Sequence, residues 1–277
     1  PNDPPARKYG MSSVHDAIAR AAYDVLPPDE REIVAPHLEG LLAASWYPDM
    51  FADRAMPPAA RARIDPQADE LIYPDPPEEA WYRKLLGHTE AEARTGVAPM
   101  RSIYLAEHYV HRVQACLAAG EAALAAKLMG VWSHVIGDTA EPIHAVAPDV
   151  VDLVLPPPPE RIALELHANV EGLQAPVDIA GHAPRLLGST PERAAMRACA
   201  AVVAAKDLGA AQAVPIVQAL YDGDRAEAVR RSQLAQNAAA RYFADFMHTM
   251  IELWRGGARG QDGLDLCRYP FVWADVD

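Results

Sequence analysis

His134, Asp138, His144, His167 and Glu171 fall within 38 residues of one another, and all five are residue types that bind zinc. His134 and Asp138 are four apart, as are His167 and Glu171. On a helix that spacing stacks the two side chains on one face, one turn apart, so each pair can grip one metal ion. Pro142 ends the first of these helices just before His144, which is then free to turn toward a second ion. Such a cluster suits a multi-metal hydrolase. One ion lowers the pKa of bound water toward about 7, and a pair about 3.5–4 Å apart holds the oxygens of a phosphoester while charge builds on them. Five ligands are too few for two well-held ions, so others must come from elsewhere in the chain. The remaining histidines are His15, His37, His88, His108, His111, His182 and His248.

The elements that must position these residues read as helices. Residues 12–25 form the first, with Ser12 or Ser13 as N-cap and Pro27-Pro28 as its stop. A second runs from Asp29 to about Ser45 and ends in the turn Trp46-Tyr47-Pro48-Asp49. Residues 52–78 are rich in Pro, Asp and Ala without periodicity and read as a surface insertion or lid. Helical pattern resumes over 79–86, breaks at Gly87-His88, and returns over 98–119, where Gly120 caps it. Residues 121–141 carry His134 and Asp138. Residues 145–159 contain five prolines and read as an extended excursion, and 161–172 is the helix of His167 and Glu171. Thr190-Pro191-Glu192 is a helix start. Helices are expected around 210–221 and over 224–254, the latter with a packed stripe of Tyr242, Phe246, Met250 and Trp254. The tail 257–277 reads as irregular. The expected fold is all-α: a single-domain multi-helix bundle over 1–277, with the metal site between helices and long proline-rich loops.

Composition agrees with a helical soluble domain: 277 residues, 51% hydrophobic and 7% aromatic, with few alternating β-branched runs. No stretch reaches the roughly 20 apolar residues of a transmembrane helix, and no signal peptide is visible, so localisation stays open. A formal charge of -13 argues against binding duplex nucleic acid through a basic surface. Two or three Zn²⁺ ions would nevertheless create a local positive centre for a phosphate ester. Cys116, Cys199 and Cys267 are widely spaced with no C-x-x-C pattern, so they read as buried or idle thiols.

The stretch H-V-I-G-D-T-A-E-P-I-H resembles the signature of the zinc-dependent phospholipase C and single-strand-specific zinc nuclease superfamily. That pattern is H-x-x-x-D, then x-x-x-P-x-H, then a loop and H-x-x-x-E or H-x-x-x-D. His134, Asp138, Pro142, His144, His167 and Glu171 fill all six positions in order. Upstream features have counterparts too, so the resemblance covers most of the chain. His15 stands for the family's N-terminal histidine, Asp49 for the aspartate of its Y-P-D turn, and His88, 46 residues before His134, for a further histidine. The resemblance implies three metal sites: Asp49, His88, His134 and Asp138; His144, His167 and Glu171; and His15 with Asp138, which bridges two ions. In the family the third zinc is completed by the amine and carbonyl of an N-terminal tryptophan. This chain begins with Pro1 and has no tryptophan before Trp46.

The implied activity is phosphoester hydrolysis, with a metal-activated hydroxide attacking phosphorus in line and Asp49 orienting or deprotonating that water. The substrate class is a small-molecule or lipid-head-group phosphoester, with single-stranded nucleic acid also open. The acidic surface and the lack of an apolar docking stretch tilt the expectation toward soluble phosphoesters. Competing readings remain. Each i, i+4 pair can be a surface hydrogen bond, His15 a solvated residue, Asp49 a turn cap, and His88 an ordinary loop histidine replaced by His108 or His111. A ferritin-like di-iron bundle has only Glu141-Pro142-Ile143-His144 to offer, and an HD-type site built on His15-Asp16 lacks an earlier histidine. A protein of the same scaffold recruited to binding or non-hydrolytic chemistry is the alternative from another class.

Overall fold

The computed structural model describes residues 14–53, 56–71, 99–162 and 164–257, and every regular element among them is helical. In chain order these are α1 (Val14–Asp24), α2 (Pro28–Val34), α3 (Leu38–Ala44), α4 (Pro58–Ile64), α5 (Ala68–Leu71), α6 (Pro99–Ala118), α7 (Ala122–Ala140), α8 (Pro142–Ala145), α9 (Pro148–Val154), α10 (Leu166–Glu171), α11 (Pro191–Tyr221) and α12 (Arg225–Arg255). A 3₁₀ turn, Ala35–His37, separates α2 from α3, and a π-helical turn, Pro48–Asp53, follows α3.

α7 is the centre of the bundle. Fifteen of its residues are buried, and it packs on α1, α3, α6, α11 and α12. Such enclosure requires small residues where backbones meet. A Cβ on Gly130 would stand 2.1 Å from the carbonyl oxygen of Leu41 in α3. α11 and α12 form a long antiparallel pair whose inner faces, including Ala198, Val202, Phe243 and Phe246, join the same core as Trp132 and Tyr109. A smaller core of Ile143, Val151, Leu166, Val170, Ile216 and Val217 seats α8, α9 and α10 on the C-terminal half of α11.

The sequence reading and the fold part company in four places. The expected second helix is split into α2 and α3, because Pro36 has no N–H to continue the ladder. The two segments read as irregular both contain helix: α4 and α5 lie within 52–78, and α9 lies within 145–159. Pro58 and Pro148 occupy the first turn of α4 and α9, where a missing N–H costs nothing, so these prolines start helices. The helix expected from 161 begins only at Leu166. The separate helix expected at 210–221 is the second half of α11, which runs unbroken through Pro215. Thr190 caps α11 through Arg193 N, Asp224 caps α12 through Glu227 N, and Gly256 ends α12 in the left-handed conformation. Expectations for 1–13, 72–98 and 258–277 lie outside the described residues.

α11 is long and apolar enough to cross a bilayer by length and composition, but it is packed against α6, α7, α8 and α12 as a core helix. Two glycine substitutions should move stability in opposite directions. Gly40→Ala, whose new Cβ meets only the Lys127 stem, Cγ at 3.6 Å and Cε at 3.8 Å, should add about 0.5–1 kcal/mol from helix propensity. Gly130→Ala should cost about 1–3 kcal/mol by forcing α3 and α7 apart, both read from urea denaturation midpoints.

Candidate metal centre

Three elements bring the first cluster together. His134 and Asp138 lie one turn apart on α7, His15 near the start of α1, and Asp49 in the π-helical turn after α3. His134 Nε2 stands 3.0 Å from Asp138 Oδ2 and 3.3 Å from Asp49 Oδ1. His15 Nε2 stands 3.3 Å from Asp138 Oδ1. The two oxygens of Asp138 therefore face different histidines. The His15 and His134 rings stack with centroids 4.1 Å apart. Gly137 makes that approach feasible, since a Cβ there would meet His15 Nδ1 at 2.9 Å.

The second cluster is assembled by α8 and α10. His144 Nε2 lies 2.8 Å from Glu171 Oε1 and 3.0 Å from His167 Nε2, and His167 Nε2 lies 3.2 Å from the same Glu171 oxygen. Two imidazole nitrogens and one carboxylate oxygen thus converge on one point. That point is open to solvent: the His167 side chain is 50% exposed, against 2% for His134. Glu141 builds the turn that presents His144. Its carboxylate accepts hydrogen bonds from Ile143 N at 2.7 Å and His144 N at 3.0 Å, capping α8 in front of Pro142.

Both groups have the donors for a cation. His15, His134 and Asp138 each place a ligand atom within 4.8 Å of the others, as do His144, His167 and Glu171. Imidazole and carboxylate donors without sulfur suit a divalent transition-metal ion, Zn²⁺ among them, and three protein ligands leave coordination positions open.

Electrostatics follow from burial and pairing. Burial, reinforced by the neighbouring His134, pushes His15 down to about 3, so it is a neutral imidazole with a free lone pair. Burial also opposes charge on His134, but Asp138 and then Asp49 outweigh it and raise the group to about 9. His144 likewise overcomes burial through Glu171, Asp138 and Glu141, reaching about 9. Against burial, His134 holds Asp138 well below the usual carboxylate range. Burial raises Glu141 to about 7. His144 is felt at both His15 and Asp138, which makes the two clusters electrostatic neighbours.

Seven of the eight ligands expected from the sequence are thus gathered into two groups. The eighth, His88, lies outside the described residues, as does Pro1. Neither His108 nor His111 joins either group; His108 packs edge-on against Tyr109, and His111 is exposed on α6. His182 and His248 pair with Asp245 at 2.9 Å and Glu30 at 2.7 Å, as structural histidines do, and His37 sits in the 3₁₀ turn. Cys116 and Cys199 are free thiols. Three features escaped the sequence reading. Glu141 entered only as half of a failed di-iron motif, although an acid before proline is itself a cap signal. Asp16 entered only as an HD dyad member; its carboxylate is instead engaged by Trp46 and Ser45. An apolar stretch was thought absent, yet Val150, Leu153, Val154 and Ile162 are exposed, between the ligands His144 and His167 in the chain. Hydropathy alone does not reveal which side of a seven-residue helix is left uncovered.

Comparisons with family profiles, curated proteins and solved structures found no match for this chain.

Two measurements test the centre. Because His134 and His144 carry protons up to about pH 9 in the metal-free protein, Zn²⁺ must displace them. Apparent Zn²⁺ affinity should rise between pH 6 and 9, with proton release visible by calorimetry in buffers of different ionisation enthalpy. The contribution of these raised groups to the metal-free fold is complete below about 6.5 and is lost as pH climbs through about 9. His15, held neutral, acts with the opposite sign as pH falls from 6.5 toward 3. Chelated protein should therefore melt earlier at pH 9.5 than at pH 7, and Zn²⁺ should remove that difference. Separately, Glu141→Ala should weaken Zn²⁺ at the His144 group about 10–100-fold, the range for outer-shell supports, and cost about 0.5–2 kcal/mol of stability through the lost cap. Competition titration against a chromophoric chelator reads the first effect.

Proposed function

We propose that this protein is a Zn²⁺-dependent phosphoester hydrolase of the phospholipase C and single-strand-specific nuclease type. The observation that carries the reading is the placement of His134, Asp138, His144, His167 and Glu171, with His15 and Asp49, in two adjoining ligand groups. The six-position motif spans both groups.

Zn²⁺ supplies Lewis acidity and lowers the pKa of water when bound. The protein's own residues do the rest. Asp138, with one oxygen toward each of His15 and His134, would be shared between two ions of the first group. His144, His167 and Glu171 would hold a further ion on the side open to solvent. Asp49 is the edge carboxylate, 3.3 Å from His134 Nε2 and 30% exposed. It would orient the attacking water and take its proton. Buried His15 and His134 exclude bulk water from the back of the site, so charge developing there would be little screened by solvent.

The exposed apolar face of α9, Val150, Leu153 and Val154, favours a lipid-head-group phosphoester over a fully water-soluble one. Duplex nucleic acid is disfavoured by the acidic surface.

Purified, Zn²⁺-loaded protein should turn over bis(p-nitrophenyl) phosphate, lose that activity to chelator and regain it with Zn²⁺. Asp138→Asn should remove more than one metal equivalent by elemental analysis and lower activity beyond the 10–100-fold of an outer-shell change. Full metal content in Asp138→Asn would defeat the bridging role. A metal-loaded protein inert on phosphodiesters, short-chain phospholipid and single-stranded DNA alike would favour the non-hydrolytic alternative.

A further inference from the structure

We propose that Asp16 is a positioning residue for the first ligand group, acting through Trp46 and Ser45 to set the ring orientation of both His15 and His134. The inference rests on the metal-binding reading above only for its consequence; the relay itself is geometric.

Asp16 follows His15 on α1, so its side chain leaves the helix about 100° further round, away from Asp138 and toward the end of α3. There its Oδ1 accepts the indole Nε1–H of Trp46 and lies 3.3 Å from Ser45 Oγ. The Ser45 hydroxyl has one proton and a better acceptor in Leu42 O at 2.8 Å, so the indole is the principal donor to Asp16. Trp46 and Ser45 are both buried, and this bond ties the indole to α1.

Two consequences reach the metal ligands. First, the carbonyl of Ser45, joined to Trp46 through their shared peptide, accepts from His134 Nδ1 at 2.8 Å. A backbone carbonyl can only accept, so Nδ1 keeps its proton and Nε2, facing Asp49 and Asp138, is the nitrogen a metal ion would take in place of a proton. Second, the Trp46 ring stands edge-on to His15, at 5.9 Å and 82°, and His15 stacks on His134. One carboxylate thereby sets the carbonyl that orients one imidazole and the aromatic wall that holds the other. The second group contains none of these contacts; its support is Glu141.

The test uses the full chain with Asp16→Ala, Asp16→Asn and Trp46→Phe. Nitrogen-15 NMR of the metal-free protein reads the relay directly. In the unsubstituted chain the His134 Nδ1 proton should be protected from exchange and the Trp46 indole proton shifted downfield. Asp16→Ala should lose both, Asp16→Asn, which keeps an acceptor oxygen, should retain them, and Trp46→Phe should lose the His134 protection. Zn²⁺ competition titration reads the consequence, with His167→Ala as background to isolate the first group and His134→Ala to isolate the second. Asp16→Ala and Trp46→Phe should each weaken the first group about tenfold, the lower end for outer-shell supports, with the second unchanged. Their combination should be less than additive, because both cut one chain of contacts. The proposal is overturned if Asp16→Ala leaves His134 Nδ1 protected, or if zinc affinity falls equally at both groups. Failure of the unsubstituted protein to bind zinc would instead sink the functional reading, while the NMR result still decides the role of Asp16.

Discussion

A helix enclosed on nearly every side carries two ionisable residues on one face, and that constraint organises the rest of the protein. His134 is buried on α7 and Asp138 keeps only a quarter of its side chain exposed, which an ionised group tolerates only with partners. The fold answers by bringing His15, Asp49 and the Ser45 carbonyl to the same turn. Each comes from a different part of the first fifty residues, and each faces the charge that α7 presents. The arrangement could hold a cation, since His15, His134 and Asp138 each place a ligand atom close to the others.

The two ligand groups differ in a way that suits division of labour. The first is walled in by Trp46, Gly137 and the rings of its own histidines, which favours fixed geometry. The second stands on short helices seated over a smaller core, with His167 half in solvent. Solvent reaches the second group without displacing side chains, whereas the first is enclosed.

The outer supports are as specific as the ligands they hold. Glu141 caps the turn of His144 with both backbone donors in reach of one oxygen, and Asp16 fastens the Trp46–Ser45 corner behind His134. Neither needs to touch a metal to matter, because a ring rotated away from its acceptor no longer offers a lone pair in the right direction. Elsewhere α12 performs a similar service for the chain after α10: Asp245 accepts from His182 and Arg185 N, and Thr249 from Leu187 N.

By itself the sequence determined the all-helical class and most members of the two side-chain groups. Local rules sufficed there: two i, i+4 pairs share a helix face whatever surrounds them, and a proline after Glu141 must break the ladder. It also marked the starts of α11 and α12, because capping involves only neighbouring residues. Tertiary structure alone decided which distant residues met those pairs from behind. Asp16 and the Ser45 carbonyl are ordinary in sequence; they count only because α1 and α3 pack against α7 where glycines permit. The prolines of 52–78 and 145–159 were read as breakers for a related reason. A proline opens a helix or ends one according to which side of it the chain can bury, and burial is settled by the whole fold.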